Sequence, residues 1–187
     1  MCGIAGYISI NNFFSKQQLK EAVSCIKYRG PDAEGFYFSP DGKVGLGHRR
    51  LSILDLSSTA NQPMFSSNGR YCIVFNGEVY NFRELKEQLA DKGASLKTTS
   101  DTEVILELFV EKGPSCFAGF NGMFAFAIFD TQEKVLTICR DHLGIKPLFL
   151  YQDNDVLIFA SELKELIFLI SNPLFFDGLY PEKFQTT

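Results

Sequence analysis

The chain has 187 residues, 45% of them hydrophobic and 21% charged, which suits one globular domain with a sizeable core and excludes a disordered or fibrous chain. Its net charge of −4 and its scattered lysines and arginines argue against a nucleic-acid partner. The longest apolar runs are far shorter than the roughly 20 residues that cross a bilayer, and the first residues lack a secretory signal, so we expect a cytoplasmic protein without a membrane partner.

The first half of the chain is predicted to be mainly sheet with one helix. A strand is expected over residues 3–10, followed by a helix that begins at Ser15 and stops at Gly30 and Pro31. Turn signals then separate three short strands. These strands are expected over residues 35–38, 44–49 and 71–75.

The second half begins with two helices and returns to sheet. Asn81 with Glu84, and Ser100 with Glu103, have the capping-box spacing that predicts a helix start at each pair. Four strand-length runs then precede a last helix from about Glu162. The runs cover residues 123–130, 134–140, 147–152 and 156–161. This order predicts an α+β fold in which two mainly antiparallel sheets pack together with helices outside.

The five cysteines indicate neither a disulfide framework nor a zinc site. They form an odd set without a C-x-x-C pair, and only two histidines could join them as ligands. Four of them are expected to be small core residues. These four are Cys25, Cys72, Cys116 and Cys139.

Cys2 is different because it directly follows the initiator methionine. Removal of Met1 would leave Cys2 with a free α-amino group. A thiol has a pKa near 8.5 and an α-amine one near 8, so the amine could accept the thiol proton at neutral pH. Cys2 is therefore a candidate nucleophile that needs no separate histidine.

Eight short motifs occur in an order that resembles a known enzyme family. They are CGIAG at 2–6, RGPD at 29–32, HRRLSI at 48–53, NGEVYN at 76–81, SDTE at 100–103, NGMFAFA at 121–127, RDHLGIKPL at 140–148 and SELK at 161–164. Together they resemble the class II glutamine amidotransferases, which are N-terminal-nucleophile hydrolases. The likeness is strongest to the glutaminase domain of glutamine-hydrolysing asparagine synthetases, and it covers residues 2 to about 166.

This resemblance implies a single αββα sandwich domain over residues 1–187 that hydrolyses L-glutamine to L-glutamate and ammonia. Cys2 would attack the side-chain amide and form a thioester. Asn76 and Gly77 would form the oxyanion hole. Arg50 would hold the substrate α-carboxylate, and Asp101 would hold its α-ammonium. The rest of the implied substrate pocket consists of Leu51, Ser52, Ile53, Leu54 and Glu78.

Several of these residues also have simpler interpretations. Asn76-Gly77 on its own is typical of a hairpin turn, Asp101 could merely place negative charge in a helix first turn, and Arg50 could form a surface ion pair. The resemblance gives His48 and His142 no catalytic role, so we expect both to be structural.

The family's synthetase domain and its phosphate loop are absent from this sequence. No cofactor is expected in the glutaminase domain, and ATP and Mg²⁺ are expected only for the missing synthetase domain. The chain could be an excised domain, a truncated product or a stand-alone glutaminase that serves a separate synthetase chain. A homodimer is a further alternative, and the apolar tail from residue 166 to 187 is expected to cover a surface or to contact a partner.

The acceptor of the ammonia also stays open. Asparagine synthesis is the first hypothesis, and amidation of sugars for surface polysaccharides is a second. A third is a non-catalytic module that senses glutamine or binds a partner.

Overall fold

The computed structural model describes residues 1–171, which form two antiparallel sheets and four α-helices. The strands are β1 (Gly3–Ser9), β2 (Ala33–Phe38), β3 (Val44–Arg50), β4 (Met64–Phe65), β5 (Tyr71–Val79), β6 (Gly122–Asp130), β7 (Val135–Arg140), β8 (Phe149–Gln152) and β9 (Val156–Ala160). The helices are α1 (Lys16–Ser24), α2 (Phe82–Ala90), α3 (Asp101–Lys112) and α4 (Leu163–Ile170). Short 3₁₀ helices cover Ser58–Ala60 and Gly113–Gly119.

The elements stack in four layers. The first sheet has the strand order β2-β3-β1-β9-β8, and the second has the order β4-β5-β6-β7. One apolar cluster joins α1 and α4 to the outer face of the first sheet, and another joins α2 and α3 to the outer face of the second. A third cluster lies between the sheets and includes Ile4, Leu46, Val74, Phe129 and Phe159. The predicted αββα sandwich of two antiparallel sheets is therefore confirmed.

Local capping signals explain two helix starts and fail at a third. The Ser15 side chain accepts a hydrogen bond from the Gln18 N–H and caps α1, and Ser100 caps α3 through the Glu103 N–H. The Asn81 side chain does not cap α2. It donates to the carbonyl of Gly119 and accepts from the N–H of Asn121, 40 residues further along the chain. The capping box predicted at Asn81 is therefore wrong, although a helix does begin there.

Strand β5 is longer than the sequence predicted. The prediction ended at Phe75, whereas the strand continues through Asn76 and Gly77 to Val79. Asn76 is paired with Ala125 and Gly77 with Phe124 on β6. The hairpin-turn interpretation of Asn76-Gly77 is therefore wrong, because pairing along nine residues of β6 overrides the local turn preference.

Two further expectations need correction. Cys72 and Cys116 are buried as expected, but Cys25 is exposed and Cys139 is only half-buried, so these two are not core residues. His142 is exposed, so the expectation that it packs structurally is wrong.

In the apolar tail, Leu166 and Leu169 are buried in the core, whereas residues 172–187 lie outside the described part. Within residues 1–171, no helix is long and apolar enough to span a membrane.

The cluster between the sheets should carry much of the folding free energy. Phe129 is fully buried there and lies 5.9 Å from the Tyr37 ring, between ring centroids. Phe129→Ala should lower the free energy of unfolding in urea by about 3–5 kcal/mol, since it removes a large buried ring and leaves a cavity. Leu150→Ala is a control because Leu150 is 56% exposed on β8, and its effect should stay within about 0.5 kcal/mol. A loss below about 1 kcal/mol for Phe129→Ala would contradict this packing.

Candidate active site

A cavity of about 280 Å³ contains nine of the ten predicted site residues, close to the usual volume of ligand pockets. The nine are Cys2, Arg50, Leu51, Ile53, Leu54, Asn76, Gly77, Glu78 and Asp101. They come from both sheets, since Cys2 precedes β1 and Arg50 ends β3, whereas Asn76 to Glu78 belong to β5. Asp101 opens α3. Residues separated by up to a hundred positions are thus brought to one place.

The Cys2 thiol lies against the backbone that follows β3. The N–H of Leu51 donates to the Cys2 Sγ at 3.4 Å, and the thiol lies 3.6 Å from the Leu51 carbonyl oxygen. Burial raises the pKa of the Cys2 thiol, while the Leu51 N–H, the positive chain terminus and Arg50 act in the opposite direction. Because the thiol is protonated at neutral pH, it needs a base close by before it can act as a nucleophile.

Arg29 fixes the backbone of Cys2, a contact that the sequence did not reveal. Its Nε donates to the Cys2 carbonyl at 2.9 Å, and its Nη1 pairs with the Glu162 carboxylate at 3.0 Å. The Tyr28 hydroxyl donates to the same carboxylate. Glu162 lies at the start of α4, so the candidate nucleophile is anchored to the last described helix through a buried arginine.

Asn76 lines the cavity and has a side-chain N–H group that is unsatisfied among the described residues. The residue is 1% exposed, and its Nδ2 has no hydrogen-bond partner within residues 1–171. Leaving a buried N–H unpaired typically costs about 1–3 kcal/mol, so this donor is placed as if for a ligand. Next to it, a Cβ on Gly77 would lie 2.3 Å from the Met123 carbonyl oxygen. Only glycine fits this close approach of β5 and β6.

The strand that carries Asn76 is held at the preceding residue. The Phe75 N–H donates to the Gln62 Oε1 at 2.6 Å, and the Phe75 carbonyl lies 3.1 Å from the His48 Nε2. The Gln62 amide also donates to the Thr102 hydroxyl at 3.2 Å. Burial lowers the pKa of His48 to about 3, so the imidazole is neutral and donates through Nε2. His48 therefore joins the two sheets, as its predicted structural role requires, and it does not line the cavity.

Arg50 makes its hydrogen bonds to the loop that follows it. Its Nη1 donates to the Ser57 carbonyl and the Asn61 Oδ1, both at 2.7 Å, and its Nη2 donates to the Asp55 carbonyl. The guanidinium has five N–H donors, so two make no hydrogen bond within residues 1–171, and Arg50 lines the cavity. Arg50 is buried and forms no surface ion pair among the described residues, whereas the neighbouring Arg49 pairs with Glu34.

Asp101 is a buried carboxylate without a positive partner among residues 1–171. Its Oδ2 accepts the Val79 N–H at 3.0 Å. Burial raises the pKa of Asp101 to about 6, the nearby Glu78 adds to the rise, and the Val79 N–H opposes it. A cation at this position would lower that pKa again. The cavity thus contains a cationic group in Arg50 and an anionic group in Asp101, a pattern that matches the two charges of an α-amino acid.

One predicted pocket residue lies elsewhere, and others were missed. Ser52 lines a separate cavity on the outer side of the loop, where its N–H donates to the Asp32 carboxylate at 2.7 Å. The main cavity also includes residues that the sequence analysis did not assign to the substrate pocket. Those are Met1, Asp55, Ala60, Gln62, Phe75, Ser100, Thr102, Met123 and Lys146. Ser100, Thr102, Met123 and Lys146 belong to the motifs SDTE, NGMFAFA and RDHLGIKPL.

Comparison with known proteins agrees with this geometry. The glutamine amidotransferase domain family matches residues 1–175. Asparagine synthetase [glutamine-hydrolyzing] 2 of Bacillus subtilis is 44% identical over 170 residues, which cover 89% of this chain and 22% of that protein. Amidase chry2 of Gibberella zeae is 37% identical over 178 residues, covering 89% of this chain and 26% of that protein. The chain thus spans about a quarter of the length of these two relatives.

Solved structures show the same fold. Glutamine phosphoribosylpyrophosphate amidotransferase from B. subtilis superposes with a TM-score of 0.77 at 21% identity, covering 90% of this chain and 43% of that one. The chain belongs to the glutamine amidotransferase domain family.

The raised pKa of Asp101 implies a trade-off between stability and site chemistry. A carboxyl whose pKa is about 6 when folded and about 3.9 when unfolded destabilises the fold above pH 6, and this penalty disappears as the pH falls below about 4. Asp101→Asn should therefore raise the free energy of unfolding at pH 7.5 by on the order of 1 kcal/mol, and the gain should shrink at pH 4.5. Urea unfolding at both pH values measures this.

Asp130→Asn is the matched control for that experiment. Hydrogen bonds from Arg70 lower the pKa of Asp130, so its ionised form stabilises the fold at pH 7.5 and its removal should destabilise the protein. An Asp101→Asn variant that loses stability at pH 7.5 as the control does would show that Asp101 is an ordinary satisfied carboxylate.

Proposed function

We propose that this chain hydrolyses L-glutamine to L-glutamate and ammonia through a thioester on Cys2. One observation carries the proposal: the Cys2 thiol, the unpaired Asn76 amide and the charged pair Arg50 and Asp101 share a single cavity. A thiol provides the nucleophile, a buried amide provides a donor for an oxyanion, and the two charges suit an α-amino acid.

In the proposed reaction Cys2 is both nucleophile and proton carrier. With Met1 removed, the α-amine takes the thiol proton and the sulfur attacks the amide carbon of glutamine. The Asn76 amide and the Gly77 N–H donate hydrogen bonds to the oxyanion that forms. The protonated amine then gives its proton to the leaving nitrogen, the C–N bond breaks and ammonia departs. Water attacks the thioester, which releases glutamate and restores the thiol.

Recognition of the substrate is assigned to residues that line the same cavity. Arg50 has two free donors for the α-carboxylate, and Asp101 offers a carboxylate to the α-ammonium. Glu78 is half-buried beside the oxyanion donors and adds negative charge on the ammonium side. The loop residues Leu51, Ile53 and Leu54 complete the wall, and Ser52 supports the loop from outside.

The ammonia is proposed to serve an ATP-dependent amidation in a synthetase domain or separate synthetase chain. This is supported by the relative named asparagine synthetase, of which the chain matches only 22%. Asparagine synthesis is the first candidate, and amidation of sugars is the second. Attack of a thiol on an amide uses no phosphoryl group, so ATP and Mg²⁺ are assigned to the amidation step alone.

The proposal is tested by glutamate release from L-glutamine, without ATP or acceptor. The purified chain with Met1 removed is compared with its Cys2→Ala variant and with Cys25→Ala, which removes an exposed cysteine outside the cavity. Release that is lost only with Cys2 supports the enzyme. Glutamine binding without release by the chain, alone or with a synthetase partner, would instead favour a binding or sensing module.

Asn76→Ala should lower kcat for glutamine hydrolysis by about 100- to 1000-fold. KM should change little, because the amide hydrogen bond forms with the oxyanion and not with the ground-state carbonyl. The control Asn68→Ala removes a turn asparagine that holds Ser66 and Arg70 in the β4–β5 hairpin, and it should leave kcat unchanged. Equal losses in both variants would remove the oxyanion role of Asn76.

Retention of Met1 should abolish turnover although the thiol is intact. An uncleaved residue before Cys2 turns its α-amine into a peptide nitrogen, which cannot accept the thiol proton. Two preparations, one starting at Cys2 and one retaining Met1, are verified by intact mass and compared for glutamate release. We expect at least a 100-fold difference, in line with the loss of a general base. Full activity of the Met1-containing chain would show that another group is the base.

A further inference from the structure

Asp55 connects two segments of the chain that are 44 residues apart. Its Oδ1 accepts hydrogen bonds from the Ser57 N–H at 2.9 Å and the Ser57 hydroxyl at 2.6 Å. Its Oδ2 accepts from the Thr99 N–H at 2.9 Å and the Thr99 hydroxyl at 3.0 Å. One carboxylate thus uses both oxygens to join the loop after β3 to the segment before α3.

Each of the two segments carries one of the charged groups of the cavity. On the loop side, the Arg50 Nη2 donates to the backbone carbonyl of Asp55 itself. On the helix side, Thr99 directly precedes Ser100, which caps α3, and Asp101 is the first residue of that helix. Asp55 is therefore the direct link between the support of Arg50 and the support of Asp101.

The distance between the Arg50 and Asp101 side chains should affect how tightly a ligand binds. The α-carboxylate and α-ammonium of an amino acid are attached to the same carbon, so the groups that bind them must keep one fixed separation. A charge-assisted hydrogen bond weakens when its donor–acceptor distance or its angle departs from the preferred range. A loop that drifted from α3 could still hold the carboxylate but would lose the ammonium.

We propose that Asp55 is a positioning residue that sets the spacing of Arg50 and Asp101 and thereby selects ligands that have both an α-carboxylate and an α-ammonium. This inference rests on the proposed function of the cavity and adds a residue that does not itself need to touch the substrate. The hydrogen bonds from Ser57 and Thr99 keep the pKa of Asp55 well below its usual range. The carboxylate therefore stays ionised, and the link holds, throughout the neutral pH range.

Asparagine at position 55 is a sharp test because it has nearly the same shape. The carboxylate faces donors on both sides, from Ser57 and from Thr99. An amide has only one acceptor oxygen, so its NH₂ group must face the N–H of one of the two segments. Asp55→Asn should open the link while it leaves the backbone bond from Arg50 in place.

Binding is measured by calorimetry in a Cys2→Ala background, so that hydrolysis is not required. The two ligands are L-glutamine and 4-carbamoylbutanoate, which is glutamine without its α-amino group. Asp55→Asn should raise the Kd of L-glutamine about tenfold, the equivalent of about 1.4 kcal/mol, and that of 4-carbamoylbutanoate less than threefold. Thr99→Val, which removes one donor to Asp55, should shift the L-glutamine Kd in the same direction by a smaller factor, and Thr99→Ser should restore it.

Asp41→Asn is the matched control. Asp41 accepts the Ser39 hydroxyl and the Lys43 N–H in a similar turn, and it lies outside the candidate site. It should leave both Kd values unchanged, and thermal unfolding of every variant shows whether the fold is intact.

An Asp55→Asn variant that is folded and binds L-glutamine as tightly as its parent would overturn the proposal. So would equal weakening of both ligands, which would mean that Asp55 only stabilises the loop. Failure of the proposed function is separable, because it appears as absence of glutamate release in the Cys2-containing chain even when the Cys2→Ala chain binds L-glutamine.

Discussion

The candidate site depends on the face-to-face packing of two sheets. Cys2 directly precedes β1 and Arg50 ends β3, both strands of the first sheet, whereas Asn76 and Gly77 belong to the second. The apolar cluster between the sheets and the hydrogen bond from His48 to the Phe75 carbonyl fix their relative position. The proposed nucleophile and the proposed oxyanion donors are thus supported by different sheets and meet only in the folded domain. Sites on strands hold such geometry more rigidly than sites on loops.

The candidate site contains polar groups whose burial is unfavourable. The Asn76 Nδ2 is buried without a partner among residues 1–171, and burial raises the pKa of both Cys2 and Asp101. The unpaired N–H group and the ionised Asp101 carboxylate each cost stability. A ligand that supplies an oxyanion or an ammonium would relieve them. Perturbed groups that converge in one cavity are typical of functional sites. By contrast, Asp130 is paired with Arg70, and Asp141 accepts hydrogen bonds from several N–H groups.

The sequence predicted the elements and the site residues better than the contacts between them. Alternating and helical patterns located β1, α1 and the strands from β6 to β9, because these elements follow their own local periodicity. Asn76-Gly77 has a turn preference, and only pairing with β6 makes it a strand. Asn81 has the spacing of a cap, yet its side chain bonds to residues near 120. The roles of Gln62 and Asp55 depend on hydrogen bonds to residues 40 and 44 positions away, and no local pattern indicates such partners.

We propose that Cys2, and no other cysteine, attacks the substrate. A diazoketone analogue of L-glutamine has a ketone carbon in place of the amide carbon and a diazomethyl carbon in place of the amide nitrogen. Once that diazomethyl carbon is protonated, the attacking sulfur should displace N₂ from it and form an irreversible thioether. The chain starting at Cys2 is treated with this analogue, digested and analysed by peptide mass spectrometry, with and without excess L-glutamine. We predict an adduct on the peptide that contains Cys2 and protection by L-glutamine. A label on Cys25, Cys72, Cys116 or Cys139, or no label in a chain that releases glutamate from L-glutamine, would contradict the account.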